Sequence, residues 1–211
     1  MPYGYLGQNQ PNQTVSNSGV FSITDVAELQ SQGKLGGSLE LIEEQTASSD
    51  SAIDFLSIQE NKYDVHLLQV NNYQADTDNT ILTVKLYESG VLETASVYQY
   101  AIQGGRANGT FSEYKSTGSG YGVAIIGSGI DNASSSSANG YCYFYNFGNS
   151  SKYSFSTFQW SYIYYTDVYE MNFGGGVLPQ ASTVDGFRIV ANAGTFSGNF
   201  KLYGVKQIWV T

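Results

Sequence analysis

The sequence predicts an all-β fold, an antiparallel sandwich or barrel, preceded by an extended polar arm and one short helix. Three observations predict it. Short runs of alternating apolar and polar residues recur about nine or ten times, with turn residues roughly every 8–15 positions. The composition suits strands and turns, with 18 Tyr, 11 Phe and 24 Gly against only 3 Pro in 211 residues. No strand–helix–strand rhythm repeats, which excludes a parallel nucleotide-binding sheet.

Taken in order, residues 1–21 are Gln- and Asn-rich without a period, and read as an extended arm. Ser22 is placed to cap a helix, with Asp25 in its first turn. Ile23, Val26 and Leu29 follow at helical spacing, and Gly33 stands where a helix ends, giving a helix over Ile23–Gln32. A helix this short is marginal alone. Val20, Phe21, Ile23, Val26 and Leu29 are therefore the candidate residues for docking on a partner. After Gly36-Gly37 the period becomes two. Strands are expected at Ser38–Thr46, Ile53–Ile58 and Tyr63–Val70. Ile81–Tyr87 and Thr94–Ile102 are expected to form a hairpin across Glu88-Ser89-Gly90. Gly104 to Gly120 reads as loop, Tyr121–Ile126 as a short apolar strand, and 131–140 as a serine-rich surface loop. Tyr141–Phe147 sets Tyr141, Tyr143 and Tyr145 opposite Cys142 and Phe144. Tyr153–Tyr165 is one bent strand or two short ones. Gly174-Gly175-Gly176 and Pro179 break the pattern, and strands return around Phe187–Ala191 and over Phe196–Val205.

Charge is thin and one-sided: 9 Lys and Arg against 18 Asp and Glu, net −9. That is too few cations for a nucleic-acid-binding stripe. The aromatic content is too high for a disordered acidic tail. No apolar run is long enough to span a bilayer, and the first residues lack a signal-peptide pattern. One cysteine, Cys142, allows no internal disulfide and points to folding in a reducing cytoplasm. Four glycosylation sequons, such as Asn108-Gly109-Thr110, read as chance matches in an Asn- and Ser-rich chain.

Catalytic material is scarce. The single histidine, His66, reads as a strand residue with its ring packed or half exposed, and Cys142 as a small buried hydrophobe. Glu43 and Glu44 are neighbours on a strand and point to opposite faces. Asp76-Thr77-Asp78-Asn79 has oxygen ligands but lacks the Gly and distal Glu of a calcium loop, so a polar turn is the better reading. No catalytic residue, metal site or cofactor is expected. The aromatic run Trp160, Tyr162 and Tyr164 shares one strand parity. Such residues stack on sugars or fill cores and interfaces, and packing is the favoured role.

The stretches Val15–Val26 and Gly36–Ile42, with Ser182–Ile189 and Gly194–Val205, resemble structural proteins of marine bacteriophages, especially those of cyanobacteria. Tyr145-Asn146-Phe147 and Lys152-Tyr153 fit the same pattern. The resemblance implies a jelly-roll-like antiparallel sandwich, a virion structural or fibre-like role, other virion proteins as partners and a homotrimer. The expected division is 1–46 as arm, helix and anchoring segment, and 47–211 as the outward sandwich. The expected function is a non-enzymatic exterior fibre or decoration protein, made in the host cytoplasm and working in the virion. The alternative is a carbohydrate-binding module for host surface glycan.

Overall fold

Strand parity organises this molecule, whose computed structural model describes residues 23–31 and 38–206. The chain divides into two units, 1–38 and 39–211. In the first, the described residues include one helix, α1 (Ile23–Ser31), as the spacing of Ile23 and Val26 predicts. The second is built of antiparallel strands throughout.

Eight strands carry the underlying plan: β1 (Leu39–Asp50), β2 (Ala52–Phe55), β3 (Val65–Ala75), β4 (Leu82–Glu88), β8 (Val123–Ala124), β9 (Ala138–Tyr145), β12 (Val184–Ala191) and β13 (Phe196–Val205). They form two facing sets, β1-β13-β3-β9 and β2-β12-β4-β8. Successive strands swap between the sets in the way that defines a jelly roll. The remaining strands are insertions. Between β4 and β8 come β5 (Val91–Leu92), β6 (Tyr98–Arg106) and β7 (Phe111–Ser119). Between β9 and β12 come β10 (Ser154–Tyr164) and β11 (Val168–Leu178). Four of these five extend the first set into an eight-stranded sheet, β1-β13-β3-β9-β10-β11-β6-β7, while β5 adds to the smaller one.

The core lies between the sheets. From the large sheet, Leu68, Val70, Cys142, Phe144, Phe158, Trp160, Phe200 and Leu202 point inward; from the small one, Phe55, Val84, Leu86, Phe187 and Ile189. Phe187 stacks on Phe55 within its own sheet at 4.9 Å and meets Phe144 across the gap at 5.0 Å. Burying each such ring contributes about 1.5–3 kcal/mol. Tyr98 ties the layers by hydrogen bonding: its hydroxyl accepts from the Leu86 amide at 2.8 Å.

Five strands are too few to cover eight. The overhang is covered by the segment 120–137, whose residues Gly122 to Asp131 are all buried. Ile125, Ile126 and Ile130 enter the core. Ile130 bridges Thr80 on one side and Tyr164 on the other. Gly122 allows the entry: its φ is +99°, and a side chain there would strike the Val84 carbonyl.

Several sequence expectations change here. The compact β unit begins at Leu39 and not at 47, so the strand over 39–46 belongs to the sandwich, where pairing with β13 holds it. The hairpin after β4 is only two residues long at β5. Thr94–Ile102 does not return beside β4, because the chain crosses at Tyr98 into the other sheet. Residues 104–120 form the β6–β7 hairpin, not a loop; Gly104 is required there because a side chain would collide with Glu170. The glycines at 174–176 do not break the sheet but continue β11, opposite Phe158, Thr157 and Ser156. A side chain at Gly174 or Gly176 would strike Ala101 or Val123. Tyr121–Ile126 is mostly buried irregular chain, with only β8 paired. Within 131–140, residues 132–135 are exposed as expected, but Asp131 and Ser136 are buried and β9 begins at Ala138.

Gly140 provides a direct test of this packing. A Cβ there would lie 2.5 Å from the Trp160 indole and 2.6 Å from the Gln159 carbonyl oxygen. Gly140→Ala is expected to lower stability by about 1–3 kcal/mol, the usual cost of overpacking. Urea denaturation measures it, and an unchanged midpoint would remove Trp160 from this position.

Candidate functional site

The large sheet has one face toward the core and one toward solvent. Outward-pointing residues align in rows across the strands, one row running Tyr203, Leu67, Tyr143, Thr157, Gly175 and Ala101. The next contains Gln69, Tyr141, Gln159, Phe173 and Gln103. Across the five adjacent strands β3, β9, β10, β11 and β6, no described outward side chain within the strands is charged between Val65 and Asn71, Asn139 and Tyr145, Phe155 and Ile163, Tyr169 and Val177, or Gln99 and Gly105. Charges stand on the flanking strands, where Lys201 pairs with Glu44 at 3.2 Å and Lys115 pairs with Glu113.

This face also collects exposed apolar groups. More than half of the exposed large apolar side chains among the described residues lie on it. Tyr169, Met171 and Phe173 follow one another on the outward side of β11, with Phe155 further along β10 opposite Val177, Phe111 beyond them on β7, and Leu39 and Leu41 at the opposite edge. The outer face of the small sheet is different in kind. There Arg188 makes two 2.8 Å bonds to the Asp54 carboxylate, and the Tyr87 hydroxyl donates to it at 2.8 Å.

Within the large face, a groove of about 560 Å³ crosses β3, β9 and β10. Tyr141 and Tyr143 line it, with ring centroids 5.7 Å apart and planes at 74°. Gln69, Asn71, Asn139 and Gln159 supply amides around them. The size is that of a small-ligand site.

The expected site residues are placed as follows. Val20 and Phe21 lie outside the described residues, as does the Leu29 side chain. Ile23 is 90% exposed and Val26 41% exposed on α1. Trp160 and Tyr162 cannot stack on a soluble sugar, because their parity is inward and both are buried. Tyr164, at the strand end, lies under the Arg106 guanidinium at 3.6 Å. The groove residues belong to the other parity. Tyr141 and Tyr143 were legible there, opposite Cys142; Gln69, Asn71 and Gln159 carried no sequence signal. Phe173 and Met171 were hidden by the glycines that follow them.

Two buried polar groups complete the picture. Glu170 is fully buried on the inner face. Its carboxylate accepts from Arg106 Nε at 2.7 Å, Ser128 Oγ at 2.7 Å and Ser112 Oγ at 3.3 Å. Ser128 also shares a short hydrogen bond with Tyr162, whose hydroxyl accepts from Asn172 at 3.1 Å. This network clamps β6, β7, β10 and β11 to the covering segment. His66 is buried between Tyr63 and Phe147, and its Nε2 donates to the Ile58 carbonyl at 2.8 Å. Burial holds its pKa below the ordinary value, favouring the neutral ring. Burial likewise pushes the Cys142 thiol well above its ordinary pKa. Asp76, just after β3, is committed to the β12–β13 turn, accepting from the Thr195 amide and hydroxyl at 2.8 and 2.7 Å. Among the described residues no cluster of three His, Cys, Asp or Glu could hold a metal ion, and no helix is long and apolar enough to cross a membrane. Compared with family models, with curated proteins and with solved structures, the chain matches none of them.

Removing one partner of the buried pair leaves the other charge uncompensated. Arg106→Met is expected to cost about 3–5 kcal/mol, and Arg106→Met with Glu170→Met markedly less than the single change. Denaturation of both variants checks this; a double variant weaker than the single one would contradict it.

Acid should destabilise the protein in two steps. Below the ordinary histidine value of 6.5 the unfolded chain takes up a proton that folded His66 resists, so stability declines as pH falls through 6.5 toward the lowered native value. Arg188 holds the Asp54 carboxyl below its ordinary value of 3.8, and Thr195 does the same for Asp76. Their contribution is complete above that value and is lost as pH falls through the lowered native values. With a single histidine in the chain, His66→Gln should flatten the upper step of a stability–pH curve and leave the lower one.

Proposed function

We propose that this chain is a non-enzymatic structural protein of a bacteriophage virion. It is an exterior fibre or decoration subunit, with an N-terminal segment that docks on a head or tail partner and a β-sandwich displayed outward. The observation that carries the reading is the outer face of the large sheet, charge-free across five strands and studded with exposed aromatic rings. Depleted charge with enriched Tyr, Phe and Met is the composition of an interface core. A contiguous apolar patch of this kind marks an assembly surface. Its occupants are further copies of the chain, since closed symmetric assembly is the common solution for identical subunits, and the ring of three is the number that the resemblance to fibre-like proteins implies.

Other features support the same reading. The jelly-roll path is one that viral coat modules use, which is support by fold analogy. The resemblance of the terminal stretches to marine phage structural proteins points the same way. On α1, Ile23 and Val26 present apolar surface for a partner. The net charge of −9 keeps copies soluble and away from nucleic acid.

Two measurements test the proposal. Light scattering after size exclusion should return a trimer for the intact chain, and Phe173→Asp should shift it to monomer with little change in thermal midpoint. A monomeric intact chain at micromolar concentration would reject the assembly face. Deletion of residues 1–34 should abolish incorporation into particles, whereas incorporation at the normal level would reject the anchoring role.

A further inference from the structure

We infer that the groove crossing β3, β9 and β10 on the outer face of the large sheet binds a neutral saccharide. The groove lies on the β3–β9–β10 side of the face that carries the assembly reading; the inference rests on the tyrosines and amides there, whereas Phe173→Asp on β11 tests assembly.

The aromatic part comes first. Tyr141 and Tyr143 meet edge to face, so the groove offers one ring face and one ring edge at a corner. A pyranose ring has an apolar face of axial C–H groups that suits such a surface, and tyrosine adds a hydroxyl for its rim. The amides decide the polarity. Among the described residues, the side chains of Gln69 and Asn71 have no hydrogen-bond partner. The Gln159 amide oxygen accepts from the Tyr141 hydroxyl at 3.3 Å, and its nitrogen has the Met171 sulfur at 3.6 Å, a weak acceptor that leaves donor capacity free. Each primary amide carries two donors and an acceptor, which match neighbouring hydroxyls that both donate and accept. A wholly apolar ligand would leave these amides desolvated and unpaired.

Charge then narrows the class. Among the described residues that line the groove none is charged. A uronate, sialate or phosphorylated ligand would find no cation there, and would approach a chain of net −9. A cationic ligand would find no carboxylate. A volume of about 560 Å³ accommodates a short oligosaccharide.

The test uses the full chain on an array of neutral gluco-, galacto- and manno-oligosaccharides, printed beside uronate-containing and sialylated counterparts. Calorimetry then follows with the best neutral compound. The expected result is retention of at least one neutral class. Tyr141→Ala and Gln69→Ala should each weaken binding about tenfold or more. Both side chains are solvent-facing, so the thermal midpoint should hold; Phe111→Ser, at the far edge of the face, should bind as the intact chain does. The inference is overturned if neither the intact chain nor the Phe173→Asp variant retains a neutral saccharide, if anionic ones are preferred, or if Tyr141→Ala binds equally well.

Discussion

The structure depends on one mismatch: an eight-stranded sheet packed against five strands. A jelly roll of four strands on four closes its own core. Here four inserted strands widen only one layer. Their inner face would meet water unless something else covered it. The chain solves this with the segment between β7 and β9, which inserts Ile125, Ile126 and Ile130 under β6, β10 and β11. That cover has little regular structure, so its backbone groups need partners of their own. They find them at both margins: Ile125 and Ile126 donate to the Leu82 carbonyl, and Asp131 donates to that of Ile163.

Different forces hold and position this cover. The isoleucines supply most of the stabilisation, since each buried aliphatic side chain contributes about 1.5–3 kcal/mol. The Glu170–Arg106 pair adds little net energy, because the desolvation of two charges roughly offsets their attraction. Its effect is on geometry. The carboxylate accepts from Arg106 on β6, Ser112 on β7 and Ser128 on the cover, and these bonds are satisfied together only when all three lie in place. Gly127 and Gly129 let the cover lie close, against Ile102 and Tyr114 in one case and Asn79 in the other. Cohesion and register therefore come from separate residues.

Much of this was legible as parity. The alternation of Tyr141, Tyr143 and Tyr145 with Cys142 and Phe144 separates an outer from an inner face, and β9 follows it. The run from Phe196 to Val205 alternates in the same way in β13. The spacing of Ile23 and Val26 gives α1 within one residue. What parity cannot show is which sheet a strand joins. The crossing at Tyr98 depends on a hydroxyl reaching the Leu86 amide across the core, a contact between layers with no local pattern. Glycine misled the reading at 104–105 and 174–176 for a related reason. In this chain those glycines accommodate close neighbours such as Glu170, Ala101 and Val123, and are not turns. The sign of a glycine is set by what lies beside it in the neighbouring strand.

The same parity rule separates the two roles offered to the aromatic residues. On β10, Trp160 and Tyr162 point inward and Gln159 and Ser161 outward. The largest rings of that strand therefore build the core, and the outer surface beside β9 is left to tyrosines and amides. On β11 the outward positions are Tyr169, Met171 and Phe173. The outer face thus changes character within one strand spacing, from hydrogen-bonding on the β3–β9 side to apolar on the β11 side. Surfaces that exclude water and surfaces that exchange hydrogen bonds with a hydroxylated ligand need opposite chemistry. Widening only one sheet places both on a single rigid face. With the charges confined to the flanking strands and the small sheet, neither part pays the desolvation cost of a buried ion.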